Sequence, residues 1–290
     1  NIDIENLTEA DRENYTDFVR ILRNKLGSRK SLSVAVAPNP YNISKGWQGS
    51  YDYSALAKYS DYLMIMAYDE SYQGGPEGPV ASASFVERSI KYAVERVPKN
   101  KIVLGIPFYG RLWKNGGTYG GYGVSNATIE QLIQKYNGKV TYDKNAQTPK
   151  AVITIKSSDE KPTILGNKLD AGTYTIWYEN EQSIKYKLSL VQKYDIKGTG
   201  SWSLGQETED TWSYYDRWLN GRYFTDSEGH WALGSILFVE ERDWMNGISS
   251  TKFAPDNVIT RAEVAVVLVR ALGLDGDTTS TSFKDTTTHW

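Results

Sequence analysis

From Asn1 to Glu5 the chain alternates polar and apolar residues, the period of a two-faced β-strand. Asn1, Asp3 and Glu5 fall on one face, Ile2 and Ile4 on the other. The period then changes. Tyr15, Phe18, Val19, Leu22 and Leu26 recur at helical spacing, and Gly27 follows in the position of a helix C′ residue. This predicts a helix over Thr8 to Leu26. Three mostly apolar runs predict buried strands: Ser31 to Pro38, Tyr62 to Tyr68 and Lys101 to Tyr109. Between them, Asp52 or Ser54 caps a short helix through Tyr59, and Ala83 to Val97 has an amphipathic helical pattern. Strands alternating with helices imply βα units on a parallel sheet. From Trp113 to about Tyr174 the rhythm breaks. A helix over Ala127 to Tyr136 and strands at Val140 to Tyr142, Ala151 to Ile155 and Thr173 to Trp177 predict a small α+β insertion, at about residues 113–177. A helix over Ser183 to Tyr194 and a strand over Gly198 to Leu204 resume the original pattern.

Composition narrows the chemistry. A net charge of −2 supplies no basic field, so nucleic acid is not an expected partner. No apolar run approaches the roughly 18–20 residues of a membrane span. There is no Cys, which removes thiolate nucleophiles and Cys-ligated zinc. The two His, His230 and His289, both lie in the C-terminal tail. Catalysis ahead of that tail must run on carboxylates, Tyr, Lys or Arg, with neither a metal nor another cofactor expected. The 21 Tyr and 9 Trp fit a sugar-binding cleft, because sugar C–H faces stack on aromatic rings. The chain opens inside a predicted strand without an initiator Met, and so reads as a fragment.

Asp3 and Glu5, two residues apart on one strand face, form an acid/base device if neighbouring charge keeps one carboxyl protonated. The same pattern is also that of an amphipathic strand with a wet face. Further charged or aromatic residues stand at or just beyond the C-terminal ends of the later strands: Tyr68 with Asp69, Tyr109 with Arg111, and Trp202. In a (β/α)8 barrel that edge carries the active site. Any one of these residues alone reads equally as a strand cap; four successive strand ends favour a site.

These residues carry a family resemblance. Asn1-Ile-Asp-Ile-Glu5 resembles the tail of the D-x-x-D-x-D-x-E signature of glycoside hydrolase family 18, the chitinase-like family. Met66-Ala-Tyr-Asp69 resembles its M-x-Y-D strand, Pro107-Phe-Tyr-Gly-Arg111 its P-F-Y-G-R segment, and Gly200-Ser-Trp-Ser-Leu-Gly205 its last strand. The resemblance implies an α/β (β/α)8 TIM barrel over residues 1–222, entered within its fourth strand. Strands one to three would then be missing, and open sheet edges would make the isolated chain aggregation-prone. Asn1 stands where many chitinases have Asp, as in the branch of spore-cortex and cell-wall N-acetylglucosaminidases. The implied mechanism is retaining and substrate-assisted. Glu5 is the acid and base, Asp3 orients the substrate's 2-acetamido N–H, and Tyr68 hydrogen-bonds the acetamido oxygen. Asp69, Trp202, Tyr109 and Arg111 contact sugar. Asn1, Met66 and Glu179 complete the list, although Met66 also reads as packing, Arg111 as an ion pair and Glu179 as a helix-entry residue.

The tail is a separate module. Phe224-Thr-Asp-Ser-Glu-Gly-His-Trp231 recurs as Phe283-Lys-Asp-Thr-Thr-Thr-His-Trp290, a tandem repeat. Between the copies lie helix candidates at Ala232 to Trp244 and Arg261 to Leu272, the second opened by a Thr260/Glu263 capping box. The pattern resembles an S-layer homology domain, a small all-α repeat at 223–281 with a second copy starting at 282–290. That family binds secondary cell-wall polysaccharide, which implies an extracellular protein on a Gram-positive-type envelope. Arg261 and Trp231 are candidate ligand residues; Arg261 reads equally as a solvated first-turn residue, and Trp231 more readily as a core anchor. Three functions follow: a surface hydrolase of β-1,4-linked N-acetylglucosamine polymers (chitin or peptidoglycan), a chitinase-like lectin, or an inert envelope protein. The retained Glu5, Asp3 and Tyr68 favour the hydrolase.

Overall fold

The computed structural model describes residues 1–249 and 251–274. They divide into a unit spanning Asn1–Asn220 and a second unit beginning at Gly221. The start of the second tail repeat, 282–290, lies outside the described residues.

In the first unit the elements run α1 (Arg12–Leu26), β1 (Ser33–Val36), α2 (Gly46–Gly49), α3 (Tyr53–Tyr59), β2 (Tyr62–Ile65), α4 (Ala83–Val94), β3 (Ile102–Pro107), β4 (Tyr109–Lys114), β5 (Tyr122–Ser125), α5 (Asn126–Lys135), β6 (Lys139–Asp143), β7 (Thr148–Ile155), β8 (Thr163–Ile164), β9 (Asn167–Lys168), β10 (Gly172–Trp177), α6 (Glu181–Tyr194), β11 (Gly198–Trp202) and α7 (Thr211–Leu219). A parallel sheet takes the order β1-β2-β3-β11. Ile2 bridges in parallel to Val34, extending the free side of β1. The central strands are apolar throughout because both faces are covered: β3 is buried at every position, and Leu63, Ile65, Leu104 and Ile106 lie in one core with Val19, Leu56, Ile90 and Leu188 from the helices. Each fully buried aliphatic side chain contributes roughly 1.5–3 kcal/mol. Helix starts follow the sequence signals. Asp52 caps α3 by accepting from the Ala55 N–H at 3.0 Å, and Ser82, Ser125 and Asn180 cap α4, α5 and α6 in the same way.

The insertion is a five-stranded antiparallel sheet, β5-β4-β10-β7-β6, with α5 packed on one face over Leu112, Ala151, Ile153 and Ile176. It begins earlier than the periodicity predicts. The run Lys101 to Tyr109 is not one strand: β3 ends at Pro107, Phe108 is a fully buried joint, and Tyr109 already belongs to the second sheet. Phe108 donates its N–H to the Trp202 carbonyl at 2.8 Å and accepts from the Asn126 N–H at 3.0 Å. Both backbone groups are therefore satisfied while the chain changes sheets. An apolar run cannot reveal such a switch, since both segments are buried.

In the second unit α8 covers Leu233–Glu240 and α9 covers Arg261–Leu272. The first is shorter than the predicted Ala232 to Trp244. The Thr260/Glu263 capping box forms as expected, with Glu263 Oε2 2.7 Å from the Thr260 N. Among the described residues this unit also holds an isolated antiparallel bridge between Ser249 and Lys252, so it is not helix alone.

One buried ion pair pins α6 to the exit of the insertion. Lys187 Nζ lies 2.7 Å from Glu179 Oε2, and both side chains are buried. Burial pushes the Glu179 carboxyl above its ordinary value, with the Lys187 charge acting against that shift. Removing one partner strands a buried charge and costs about 3–5 kcal/mol. Lys187→Ala is therefore expected to lower the unfolding free energy by that amount. The double replacement Glu179→Leu with Lys187→Met is expected to recover most of it, in urea titrations followed by tryptophan fluorescence.

Candidate active site

The polar face of the first segment is held from both sides. Ile2 donates its N–H to the Ser33 carbonyl and accepts from the Ala35 N–H, each at 2.8 Å. The Tyr51 hydroxyl donates to the Ile4 carbonyl at 3.0 Å. Ser33 Oγ donates to Asn1 Oδ1 at 2.9 Å. This occupies Asn1 with strand β1 and leaves Asp3 and Glu5 as the acidic groups of that face. Glu5 reaches solvent. Partial burial, then the charges of Asp3 and of Asp69, hold its carboxyl above the ordinary carboxylate value. A carboxyl so placed keeps its proton to a higher pH, the state a general acid needs.

Beyond the end of β2 come Met66, which is buried packing, then the half-buried Tyr68 and the exposed Asp69, which lines the cleft described below. Burial, followed by the charges of Asp3, Asp69 and Glu5, raises the Tyr68 hydroxyl well above its usual value, so the phenol stays a donor. Space for its ring comes from Gly105 on β3. A Cβ there would stand 3.0 Å from Tyr68 Cε1 and 2.5 Å from the Ile65 carbonyl oxygen. The Tyr109 ring meets the Tyr68 ring edge-on at 6.1 Å.

Asp69 adopts left-handed backbone geometry, with φ at 58°. Its Oδ1 accepts from the Tyr109 hydroxyl at 2.5 Å and from Arg111 Nε and Nη2 at 2.9 and 2.8 Å. Arg111 also donates through Nη1 to the Gly121 carbonyl at 2.7 Å. Trp202, 50% exposed at the end of β11, lines a cleft of about 440 Å³ together with Asp69, Tyr109 and Arg111.

Glu5, Asp3, Tyr68, Asp69, Tyr109, Arg111 and Trp202 thus gather at the C-terminal ends of the parallel strands. Glu179 is not among the residues lining this cleft; it is buried on Lys187. In the second unit, Arg261 is exposed in the first turn of α9. Trp231 is 91% exposed, where a core anchor was expected. The flanking Phe224 is buried instead and packs on Phe253 at 5.3 Å. The sequence carries no signal for Ser33 or Tyr51, which belong to no motif and act on the first segment through hydroxyl hydrogen bonds. Among the described residues, no group of three or more His, Asp or Glu side chains is arranged to hold a metal ion.

Comparisons with known proteins agree on one family. The model for glycosyl hydrolases family 18 matches residues 1–207, and that for the S-layer homology domain matches residues 223–265. The chain is 31% identical to the cortical fragment-lytic enzyme of Bacillus subtilis (strain 168), covering 72% of this chain and 47% of that one. It is 29% identical to an uncharacterized glycosylase of the same strain, over 73% of this chain and 58% of the relative. Among solved structures, the chitinase from Chromobacterium violaceum superposes with a TM-score of 0.64 at 31% identity, covering 75% of this chain and 64% of that one. The Bacillus cereus spore cortex-lytic enzyme gives 0.61 at 28%, with 76% and 48% covered. The chain spans about half the length of the curated bacterial relatives it matches. With a family model covering most of its length, the chain belongs to the glycosyl hydrolases family 18, followed by an S-layer homology domain.

Proposed function

We propose that this protein hydrolyses β-1,4 bonds in polymers containing N-acetylglucosamine, as a retaining enzyme whose substrate supplies the nucleophile. The observation that carries this reading is the electrostatic coupling of Glu5, Asp3 and Tyr68 beside the Asp69–Tyr109–Arg111 cluster. Glu5, in its acid form, gives its proton to the glycosidic oxygen as the bond to the anomeric carbon breaks. The 2-acetamido oxygen of the same sugar attacks that carbon, forming an oxazolinium ion. Asp3 accepts from the acetamido N–H and offsets the positive charge, and the Tyr68 phenol donates to the acetamido oxygen and holds it in line. Glu5, now a carboxylate, takes a proton from the water that opens the ring, and the original configuration returns. Asp69 binds sugar hydroxyls with its free carboxylate oxygen, and Trp202 provides a stacking floor.

The parallel sheet is then part of a (β/α)8 barrel, a reading supported by the family relationship. The S-layer homology unit holds the enzyme on a bacterial cell surface through cell-wall polysaccharide, with Arg261 and Trp231 as exposed contacts. Relatives named as chitinases and as cortex-lytic enzymes support chitin-type and peptidoglycan-type chains as the substrate class.

Incubation with chitin oligosaccharides and with purified peptidoglycan, followed by mass spectrometry of new reducing ends, tests the activity. Products ending in N-acetylglucosamine are expected, and Glu5→Gln is expected to reduce kcat by about 10²–10⁴-fold with sugar binding retained. Saccharide binding with no Glu5-dependent product would favour the lectin.

The pH profile carries a sign. Because the Glu5 carboxyl is raised and its acid form is needed, the alkaline limb of kcat lies above the ordinary carboxylate range. Asp3→Asn removes one of the raising charges, so that limb is expected to move to lower pH, apart from any loss of rate.

A further inference from the structure

Glu5 is gripped through the chain on either side of it. Upstream, the ladder that ties the first segment to β1 is used at Ile2, whose N–H and carbonyl both bond to the β1 backbone. In a parallel ladder the next carbonyl in line is two residues on, at Ile4. That carbonyl is held by a side chain instead, the Tyr51 hydroxyl at 3.0 Å. Downstream, Asn6 turns the chain at a left-handed φ of 61°, and Glu9 Oε2 accepts from the Gly46 N–H at 2.6 Å. Gly46 opens α2, so the loop that carries Tyr51 holds the chain both before and after Glu5.

The direction of the Tyr51 bond is fixed. Trp47 Nε1 lies 3.1 Å from the Tyr51 oxygen, and an indole N–H only donates. The single phenol proton must then go to Ile4. The Tyr51 ring is 1% exposed and lies edge-on to Tyr15 at 5.8 Å and to Trp47 at 6.2 Å. Burial pushes its hydroxyl up to about 12, with the Trp47 hydrogen bond acting against that shift and the charges of Glu5 and Asp3 adding to it, so it stays a donor. The Ile4 carbonyl belongs to the peptide unit that carries the Glu5 N–H. Because that unit is planar, fixing its oxygen sets the plane from which the Glu5 side chain departs. Tyr15 is the contrast: it is also buried, but its hydroxyl has no hydrogen-bond partner among the described residues.

We infer that Tyr51, seated by Trp47, is a positioning residue for the general acid: its hydroxyl sets the Ile4–Glu5 peptide plane and so aims the Glu5 carboxyl at the glycosidic oxygen. The inference rests on the proposed reading that Glu5 is that acid, and it adds what holds the acid in place.

Leaving-group dependence separates aiming from stability. A sugar leaving group needs the Glu5 proton as its bond breaks, whereas a dinitrophenolate leaves with little help. The whole chain is assayed on the tetramer of N-acetylglucosamine and on a dinitrophenyl glycoside of the N-acetylglucosamine dimer. Tyr51→Phe keeps the ring and removes the hydroxyl. It is expected to lower kcat/KM about 30-fold on the tetramer and by no more than about threefold on the aryl glycoside. Trp47→Phe is expected to shift the ratio of the two in the same direction by about fivefold, and to cost nothing further when added to Tyr51→Phe, since both act through one hydroxyl. Tyr15→Phe removes an unbonded hydroxyl from the same cluster and is expected to leave both rates within about twofold. Equal losses on the two substrates, additive losses in the double variant, or a comparable change of ratio from Tyr15→Phe would overturn the inference. If Tyr51→Phe melts without cooperativity, the ratio in Trp47→Phe decides, and an unchanged ratio overturns it. Absence of Glu5-dependent product from the unmodified chain would instead sink the hydrolase reading, and the positioning role with it.

Discussion

One carboxylate oxygen ties the two sheets of the first unit together. Asp69 follows β2 of the parallel sheet, and the three donors on its Oδ1 come from Tyr109 and Arg111 on the antiparallel sheet. Charge-assisted hydrogen bonds of this kind are short and directional. They set how the insertion stands over the strand ends, and hence the width of the cleft. The same charge reaches Glu5 and Tyr68 and helps raise both above their ordinary values. A positioning contact and a tuning charge are therefore one group. The left-handed backbone at Asp69 fits this role, because a residue held in a sparsely populated conformation persists where its surroundings determine it.

Three carboxylates close together would ordinarily resist a compact arrangement. Here the cost is met unevenly. Asp69 is compensated by Arg111, Asp3 stays beside solvent, and Glu5 retains its proton to higher pH. A carboxyl raised by its like-charged neighbours is what a general acid on this strand face requires. Asn1 adds no further negative charge, and its amide oxygen is taken up by Ser33.

Much of this could be read from the chain. Period-two alternation at Asn1 to Glu5, the apolar runs and the motifs around Tyr68, Tyr109 and Trp202 located both the parallel sheet and the cleft. What escaped did so for physical reasons. The change of sheet at Phe108 lies inside a run that is apolar on both sides of it, so periodicity carries no mark of it. Glu179 follows an aromatic pair at a strand end, as a sugar contact would, but its partner Lys187 lies two helical turns on and takes it into the core. Trp231 has the residue type of an anchor but is exposed, and Phe224 is the buried ring beside Phe253.

The insertion joins the parallel sheet through two adjacent crossings. Phe108 leads in; Tyr178, Glu179 and Asn180 lead out toward α6 and β11. Asn126 spans them: its N–H goes to the Phe108 carbonyl and its Oδ1 accepts from the Glu179 N–H at 3.3 Å. The insertion is thus fastened at its root and again at the β6–β7 turn, where the Ala146 carbonyl accepts from the Ala83 N–H at 2.8 Å, while the β8–β9 hairpin pairs with neither larger sheet. For molecular evolution this separates two rates of change. Substitutions, or altered loop lengths, at the hairpin can remodel which polymer is admitted, and the root keeps the acid, the phenol and the stacking ring in register. Substrate preference can then drift among descendants of one ancestor without the chemistry having to be reinvented.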